Sequence, residues 1–336
     1  MTITFNVGRA MKNVAAHARR AQTQTGVPGI AIAIVSGETI AFEQVGSTTA
    51  GGPTLVDRDT VFQLASLSKP IATSIAAWQL SHGATWGWDA AIKRELPGFA
   101  LADPAVTVGA LFAHRSGLPD HAGDLLEDMG YGREEILRRL GLLPLSPGHV
   151  APGGRFASSY AYTNFGFTAA ALAVARAGGC DWPVLAERVL YQPLGMTATS
   201  SRFSAFDAAL RAGNAAVPHQ RTPAPLAGTP ALPANPSWHR TPQVRDADAQ
   251  SPAGGVCSTA RDLAQWLRLQ LGLVNDGHFD AAFRAQLALT HQPYTPSANY
   301  GFGWNVDLGS DAATASLPGR CAGVTRARSC WALRPP

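Results

Sequence analysis

The sequence predicts an α+β fold: an antiparallel sheet formed by segments from both ends of the chain, with a mainly helical lobe inserted between them. Three observations carry this. Residues 29–45, GIAIAIVSGETIAFEQV, hold two runs of alternating apolar residues around Ser36-Gly37. Residues 85–215 are rich in Ala, Leu and Arg at helical spacing, as in EEILRRLGLL (134–143) and FTAAALAVARAG (167–178). A further strand candidate lies far down the chain, at Tyr300–Asp307. Alternation marks a half-buried strand, whereas recurrence every three or four residues marks an amphipathic helix. The 336 residues then form one domain, with an α/β lobe (about 1–65 and 250–336) and a helical lobe (about 66–249).

Taken in order, the first element is a helix, because Val7, Met11, Val14 and Ala15 fall on one face. The runs in 29–45 form a hairpin about a glycine-containing tight turn. A polar, Gly-rich stretch follows to about Asp59. In FQLASLSKPIATSIAAWQL (62–80), residues Ile71, Ile75, Ala76, Ala77, Trp78 and Leu80 make the helix apolar nearly all round, which predicts burial. Pro70 lacks an N–H and is tolerated only in a first turn, so the helix starts beside Ser66. Between Pro218 and Pro252 there are eight prolines and almost no periodicity, the pattern of an irregular segment. Regular structure resumes where Ser258-Thr259 supplies a cap for the helix ARDLAQWLRLQLG.

Bulk properties exclude several functions. The net charge of +4 comes almost wholly from scattered arginines, since only three lysines are present: Lys12, Lys69 and Lys93. No basic run is interleaved with aromatics, so a nucleic-acid partner is not expected. No apolar run reaches the roughly 18 residues of a membrane span. The first 20 residues lack the apolar core of a signal peptide, so a cytoplasmic protein is expected. Cys180, Cys257, Cys321 and Cys330 form no Cys-x-x-Cys pair and are expected as reduced thiols. The nine histidines include no His-x-His and no His-Glu-x-x-His. The cluster His114, Asp120 and His121 in AHRSGLPDH reads as a loop around Gly117 and Pro119, so no metal is expected. Nothing in the sequence sets an oligomeric state.

The chemistry points elsewhere, to Ser66-Leu67-Ser68-Lys69. The chain has 20 serines and three lysines, and one lysine stands three residues after a serine at the mouth of an apolar helix. A serine hydroxyl is a poor nucleophile unless a neighbour takes its proton. Residues i and i+3 share a helix face, so Lys69 can reach Ser66. Burial among apolar groups disfavours a charged amine, which would fit Lys69 to act as a base. The bland reading is a surface lysine near a helix start. A second triplet is Tyr162-Thr163-Asn164 in SSYAYTNFGFT (158–168). A tyrosine near a lysine can work as general base or acid, and an asparagine amide can hold the lysine or a substrate carbonyl. The same triplet also reads as a loop-to-helix junction, with Asn164 capping and Tyr162 packing.

Together these pieces resemble the serine β-lactamase and penicillin-binding superfamily. The branch they resemble holds class C β-lactamases, D-alanyl-D-alanine carboxypeptidases and family VIII carboxylesterases. LFAHRSGLPD (111–120), PAGGVCSTARDLAQWLR (252–268) and YGFGW (300–304) look like further segments of that branch, and the likeness runs over about residues 25–310. It implies a β-lactamase/transpeptidase-like fold and double displacement through an acyl-enzyme. Ser66 would be the nucleophile, and Lys69 would take or relay its proton. Tyr162 would act with Lys69 as base and then as acid for the leaving group. Asn164 would orient Lys69 and the substrate. The Ser66 N–H would be one half of the oxyanion hole. No cofactor or metal is implied, and the substrate would be a small ester or amide. The leading expectation is a carboxylesterase on short acyl esters with weak β-lactam hydrolysis. The alternatives are an impaired or inactive relic that binds acyl groups, and a peptidase or amidase for D-amino acids.

One part of the pattern breaks. The family closes its site with a strand bearing His-Thr-Gly or Lys-Thr-Gly. The comparable place here is Ala313-Thr314-Ala315, before Leu317-Pro318-Gly319, which lacks the basic residue and the glycine. The following text, RCAGVTRARSCWALRPP, shows little strand alternation. The C-terminal strands are therefore expected to be truncated or altered. Loss of one oxyanion donor typically costs roughly 100- to 1000-fold in turnover.

Overall fold

The computed structural model describes residues 7–146, 159–221, 238–296 and 298–306. Helix α1 (Val7–Thr25) precedes the hairpin strands β1 (Gly29–Ser36) and β2 (Thr39–Gly46). The short strand β3 (Phe62–Gln63) leads through a 3₁₀ turn, Ala65–Leu67, into α2 (Ser68–His82). Helices then dominate: α3 (Ile92–Glu95), α4 (Val108–Phe112), α5 (Asp124–Asp128), α6 (Arg133–Leu140), α7 (Asn164–Ala177), α8 (Trp182–Ala186) and α9 (Phe203–Arg211). Strands β4 (His219–Arg221) and β5 (Trp238–Arg240) follow, and then α10 (Ser251–Gly254), β6 (Cys257–Ser258), α11 (Ala260–Gln270) and α12 (Ala281–Thr290). No helix among the described residues is long and apolar enough to cross a membrane.

The chain divides into two units. The first comprises Met1–Gln63, Leu194–Asp246 and Cys257–Leu273. Its hairpin pairs Gly29 with Gly46 through Ser36 with Thr39. The two loop residues are therefore Gly37 and Glu38, one position later than the sequence suggests. Gly37 has φ +55°, the left-handed conformation that a two-residue hairpin loop needs and glycine supplies without steric cost. Both α1 and α11 pack on the hairpin. In α1, Met11, Val14 and Ala15 are half-buried and Ala18 is buried, as the apolar spacing requires. Strand β3 pairs antiparallel with β6, joining segments almost 200 residues apart. Around that pair, Val61, Phe206, Ala215 and Cys257 form a small apolar cluster. Thr259 caps α11 as expected, its Oγ1 accepting the N–H of Asp262 at 3.1 Å. Within the proline-rich segment, residues 222–237 lie outside the described residues, and the strands on either side of them, β4 and β5, pair antiparallel.

The second unit comprises Leu64–Pro193, Ala247–Val256 and Val274–Pro336. Its core is α2 and α7. Ile71, Ala72, Ile75, Ala76 and Ala77 of α2 are fully buried, as are Phe165, Phe167, Ala169, Ala170, Ala171 and Val174 of α7. Each fully buried large apolar side chain contributes about 1.5–3 kcal/mol. Helices α2, α4 and α10 pack on α7, and α12 packs on α2. Residues 300–306 do not form the expected strand. Tyr300 and Asn305 make one antiparallel bridge around a tight turn, with Gly301 N donating to Trp304 O at 2.9 Å and Gly303 at φ +76°. Two glycines in four residues allow the chain to fold back rather than extend.

Candidate active site

Ser66 lies in the 3₁₀ turn and Lys69 is the second residue of α2. Ala65 precedes the serine with φ +46°, a left-handed conformation that costs an alanine roughly 1–2 kcal/mol. The turn is tied at both ends to Val256, whose O accepts the Leu64 N–H at 2.9 Å and whose N–H donates to Ser68 Oγ at 3.0 Å. Pro70 falls in the first turn of α2, where its missing N–H removes no helical bond. The opening N–H groups of such a turn have no carbonyl behind them within it. The Ser66 N–H therefore sits where an oxyanion could be received.

Lys69 is 1% exposed, so it is not the surface lysine of the bland reading. Its Nζ donates to Ser66 Oγ at 3.2 Å, to Asn164 Oδ1 at 2.7 Å and to the carbonyl of Ala253 at 2.9 Å. It also stands 4.5 Å from the centroid of the Tyr162 ring. The Tyr162 hydroxyl lies 2.5 Å from Ser66 Oγ. Lys69 and Tyr162 thus both touch the Ser66 hydroxyl and Asn164 touches Lys69, although 96 residues separate Ser66 from Tyr162.

The second triplet sits where loop becomes helix. Tyr162 lies outside α7, Thr163 is the N-cap in extended conformation, and Asn164 is the first helical residue. Asn164 does not cap the helix. Its amide instead bridges Lys69 and Asp124, with Nδ2 donating to Asp124 Oδ1 at 3.2 Å and Oδ2 at 3.1 Å. Asp124 Oδ2 lies 2.9 Å from His121 Nδ1. Asp120 Oδ1 accepts the Tyr162 N–H at 2.6 Å, and the His121 N–H donates to the Tyr162 carbonyl at 2.7 Å. Sequence reasoning assigned no role to Asp120 or Asp124. The one available signal was their place just after the Gly-Leu-Pro of the 111–120 segment.

The YGFGW segment packs behind the lysine. A Cβ added at Gly303 would stand 3.0 Å from the Lys69 carbonyl oxygen. Residues Ala313-Thr314-Ala315, the place expected for the His-Thr-Gly or Lys-Thr-Gly strand, and the rest of the C-terminal segment expected to be truncated or altered lie outside the described residues. Among the described residues, no group of three or more His, Cys, Asp or Glu is placed to hold a metal ion.

Chemically, the site is a hydroxyl with an amine and a phenol both in contact with it, at the start of a buried helix. The family model described as Beta-lactamase matches residues 14–335. The chain belongs to the beta-lactamase family. It is 29% identical over 262 residues to penicillin-binding protein 4 of Amycolatopsis lactamdurans, covering 76% of this chain and 63% of that protein. It is 34% identical over 165 residues to the esterase EstB of Burkholderia gladioli, covering 44% of this chain and 39% of that one. The chain thus spans less than two thirds of the length of these relatives. Among solved structures, the β-lactamase/D-alanine carboxypeptidase of Pseudomonas syringae superposes with a TM-score of 0.67 at 19% identity, over 88% of this chain and 74% of that one. This member of the beta-lactamase family therefore has the β-lactamase/transpeptidase-like fold, and its relatives include an esterase and carboxypeptidases.

Proposed function

We propose that this protein is a serine hydrolase that works through a covalent acyl-enzyme on Ser66, with short acyl esters as its substrates. The observation that carries the proposal is the double contact on one oxygen. The Tyr162 hydroxyl at 2.5 Å and Lys69 Nζ at 3.2 Å both touch Ser66 Oγ. The esterase among its relatives supports esters as substrates.

In the first half-reaction Ser66 Oγ attacks the ester carbonyl carbon. Its proton passes to the Lys69–Tyr162 pair as the new C–O bond forms. The carbonyl electron pair moves to oxygen, where the Ser66 N–H stabilises it. Collapse expels the alkoxide, which takes a proton from the Tyr162 hydroxyl and leaves as alcohol. In the second half-reaction water gives a proton to the same pair as it attacks the acyl carbon, and collapse of the intermediate breaks the Ser66 C–O bond, releasing the acid while the pair returns that proton to Ser66 Oγ. Asn164 holds Lys69 in place throughout, and Asp124 holds Asn164. Positioned proton transfer of this kind contributes roughly 100- to 10,000-fold. β-Lactams could acylate the same oxygen, with slow release expected.

The test is intact-protein mass after brief exposure to p-nitrophenyl acetate, with turnover followed in parallel. One acetyl group per chain is expected, and none on Ser66→Ala. A folded protein that gains no acetyl group, or a Ser66→Ala variant that turns over like the parent, would refute the proposal. The first outcome would point to a scaffold that has kept the arrangement without the activity.

A further inference from the structure

Three consecutive N–H groups in front of α7 are each held by the segment 114–121. The Ala161 N–H donates to the His114 carbonyl at 2.9 Å. The Tyr162 N–H donates to Asp120 Oδ1 at 2.6 Å, and the Thr163 N–H donates to His114 Nδ1 at 3.2 Å. His114 therefore grips the chain on both sides of Tyr162. Its ring is wholly buried, with its centroid 4.4 Å from that of Tyr162, 5.1 Å from that of Tyr300 and 5.9 Å from that of Phe167.

The contact with Thr163 fixes the state of the imidazole. A backbone N–H can only donate, so Nδ1 must accept and the ring proton must sit on Nε2. Nε2 has no acceptor among the described residues. His114 also has φ +58°. Such left-handed residues persist only where the surroundings over-determine them, and they cluster at functional sites. Burial, then the charge of Lys69, then His121, hold its pKa well below the ordinary 6.5, so the acceptor form persists at neutral pH.

We propose that His114 is a positioning residue for Tyr162. It accepts the Thr163 N–H on Nδ1 and the Ala161 N–H on its carbonyl, and its ring backs the phenol, which keeps the Tyr162 hydroxyl on Ser66 Oγ. The proposal rests on the reading of Ser66, Lys69 and Tyr162 as the reacting groups. Tyr162 lies in extended chain ahead of a helix and gains no rigidity from helical bonds. The clamp supplies it.

The experiment compares His114→Asn, His114→Gln, His114→Phe and Ser66→Ala in steady-state hydrolysis of p-nitrophenyl acetate. Thermal midpoints and the acetylated fraction are measured on the same samples. Asparagine places Oδ1 where Nδ1 stood, and tolerates a positive φ. Glutamine places its oxygen beyond that point, and phenylalanine has no acceptor. A misplacement of about 1 Å costs roughly 100-fold, so kcat per active chain should fall about 10- to 100-fold in the Gln and Phe variants, with KM within about threefold. The Asn variant should stay within about fivefold of the parent in kcat. If the Phe variant fails to fold, the Asn and Gln pair decides. Equal kcat per active chain in Asn and Gln, with only the midpoints changed, would overturn the proposal. Parental kcat in Gln together with abolished turnover in Ser66→Ala would overturn it while leaving the functional reading intact. Turnover that survives Ser66→Ala would bring down both.

Discussion

Asp124 decides which end of the Asn164 amide faces Lys69. Its two carboxylate oxygens accept from Asn164 Nδ2 at 3.2 and 3.1 Å, and the amide oxygen is left pointing at Lys69 Nζ, 2.7 Å away. A carboxylate can only accept, so the amide cannot turn over without setting oxygen against oxygen and nitrogen against nitrogen. Asp124→Ala removes that constraint. The expected result is a fall in kcat of about 10-fold or more, because misorientation at a reacting group is costly. Steady-state kinetics check it, and an Asp124→Ala enzyme with parental kcat would detach Asp124 from the site.

Tyr162 and Lys69 both touch the nucleophile, and their losses should differ in kind. Tyr162→Phe keeps the ring over Lys69 and removes only the hydroxyl. It should lower kcat by roughly 100- to 10,000-fold, the range of one positioned proton-transfer group. Lys69→Ala should abolish turnover, and it leaves Asn164 Oδ1 and the Ala253 carbonyl without their donor, so stability should fall as well. Kinetics with a thermal melt on each variant separates the two effects. A Lys69→Ala enzyme that still turns over would remove the lysine from the mechanism.

Ala65, with φ +46°, stands at the entrance to the nucleophile turn. Valine at this φ is a genuine outlier. Ala65→Val should lower stability by at least about 1 kcal/mol, whereas Ala65→Gly should match or exceed the parent, because the left-handed strain of about 1–2 kcal/mol is relieved. Denaturant midpoints give the order. A valine variant as stable as the parent would show that the turn is free to reshape.

Buried His114 and half-buried His291 should make stability fall in acid. The pKa of His114 is lowered well below 6.5 by burial, Lys69 and His121, and that of His291 is lowered by burial. In the unfolded chain each takes up a proton near its ordinary 6.5. Below that pH the unfolded state binds more protons than the folded state, so stability falls as pH falls. Above it the two states bind alike and the contribution is complete. The slope is up to about 1.4 kcal/mol per pH unit for each group. Unfolding free energies measured from about pH 8 down to about pH 5 should show this decline, and His114→Asn should make it shallower. An unchanged slope in that variant would assign the decline elsewhere.

The parts of the site that were legible in the sequence are local. Ser66 and Lys69 lie three residues apart and Tyr162 and Asn164 two apart, so residue type and spacing single out each pair. Thr259 as a cap and Pro70 as a helix start are readable for the same reason. That the two pairs meet is a long-range contact, which periodicity does not encode; only likeness to a family suggested it. Asp124 and His114 were not legible. A histidine in AHRSGLPDH looks like loop chemistry until Nδ1 is seen against Thr163, and an aspartate opening a five-residue helix looks like an N-terminal acid. Residues 300–306 do not form the expected strand because Gly301 and Gly303 favour reversal, which outweighed the flanking aromatics.

The Ala253 carbonyl bears on the engineering of this protein. It belongs to a four-residue helix with no reacting group, yet it accepts a hydrogen bond from Lys69 Nζ at 2.9 Å. Anything that shifts residues 251–254 would be transmitted to the amine directly, without passing through the substrate. Selection for a new substrate could therefore tune reactivity from there, leaving the walls that recognise the substrate untouched.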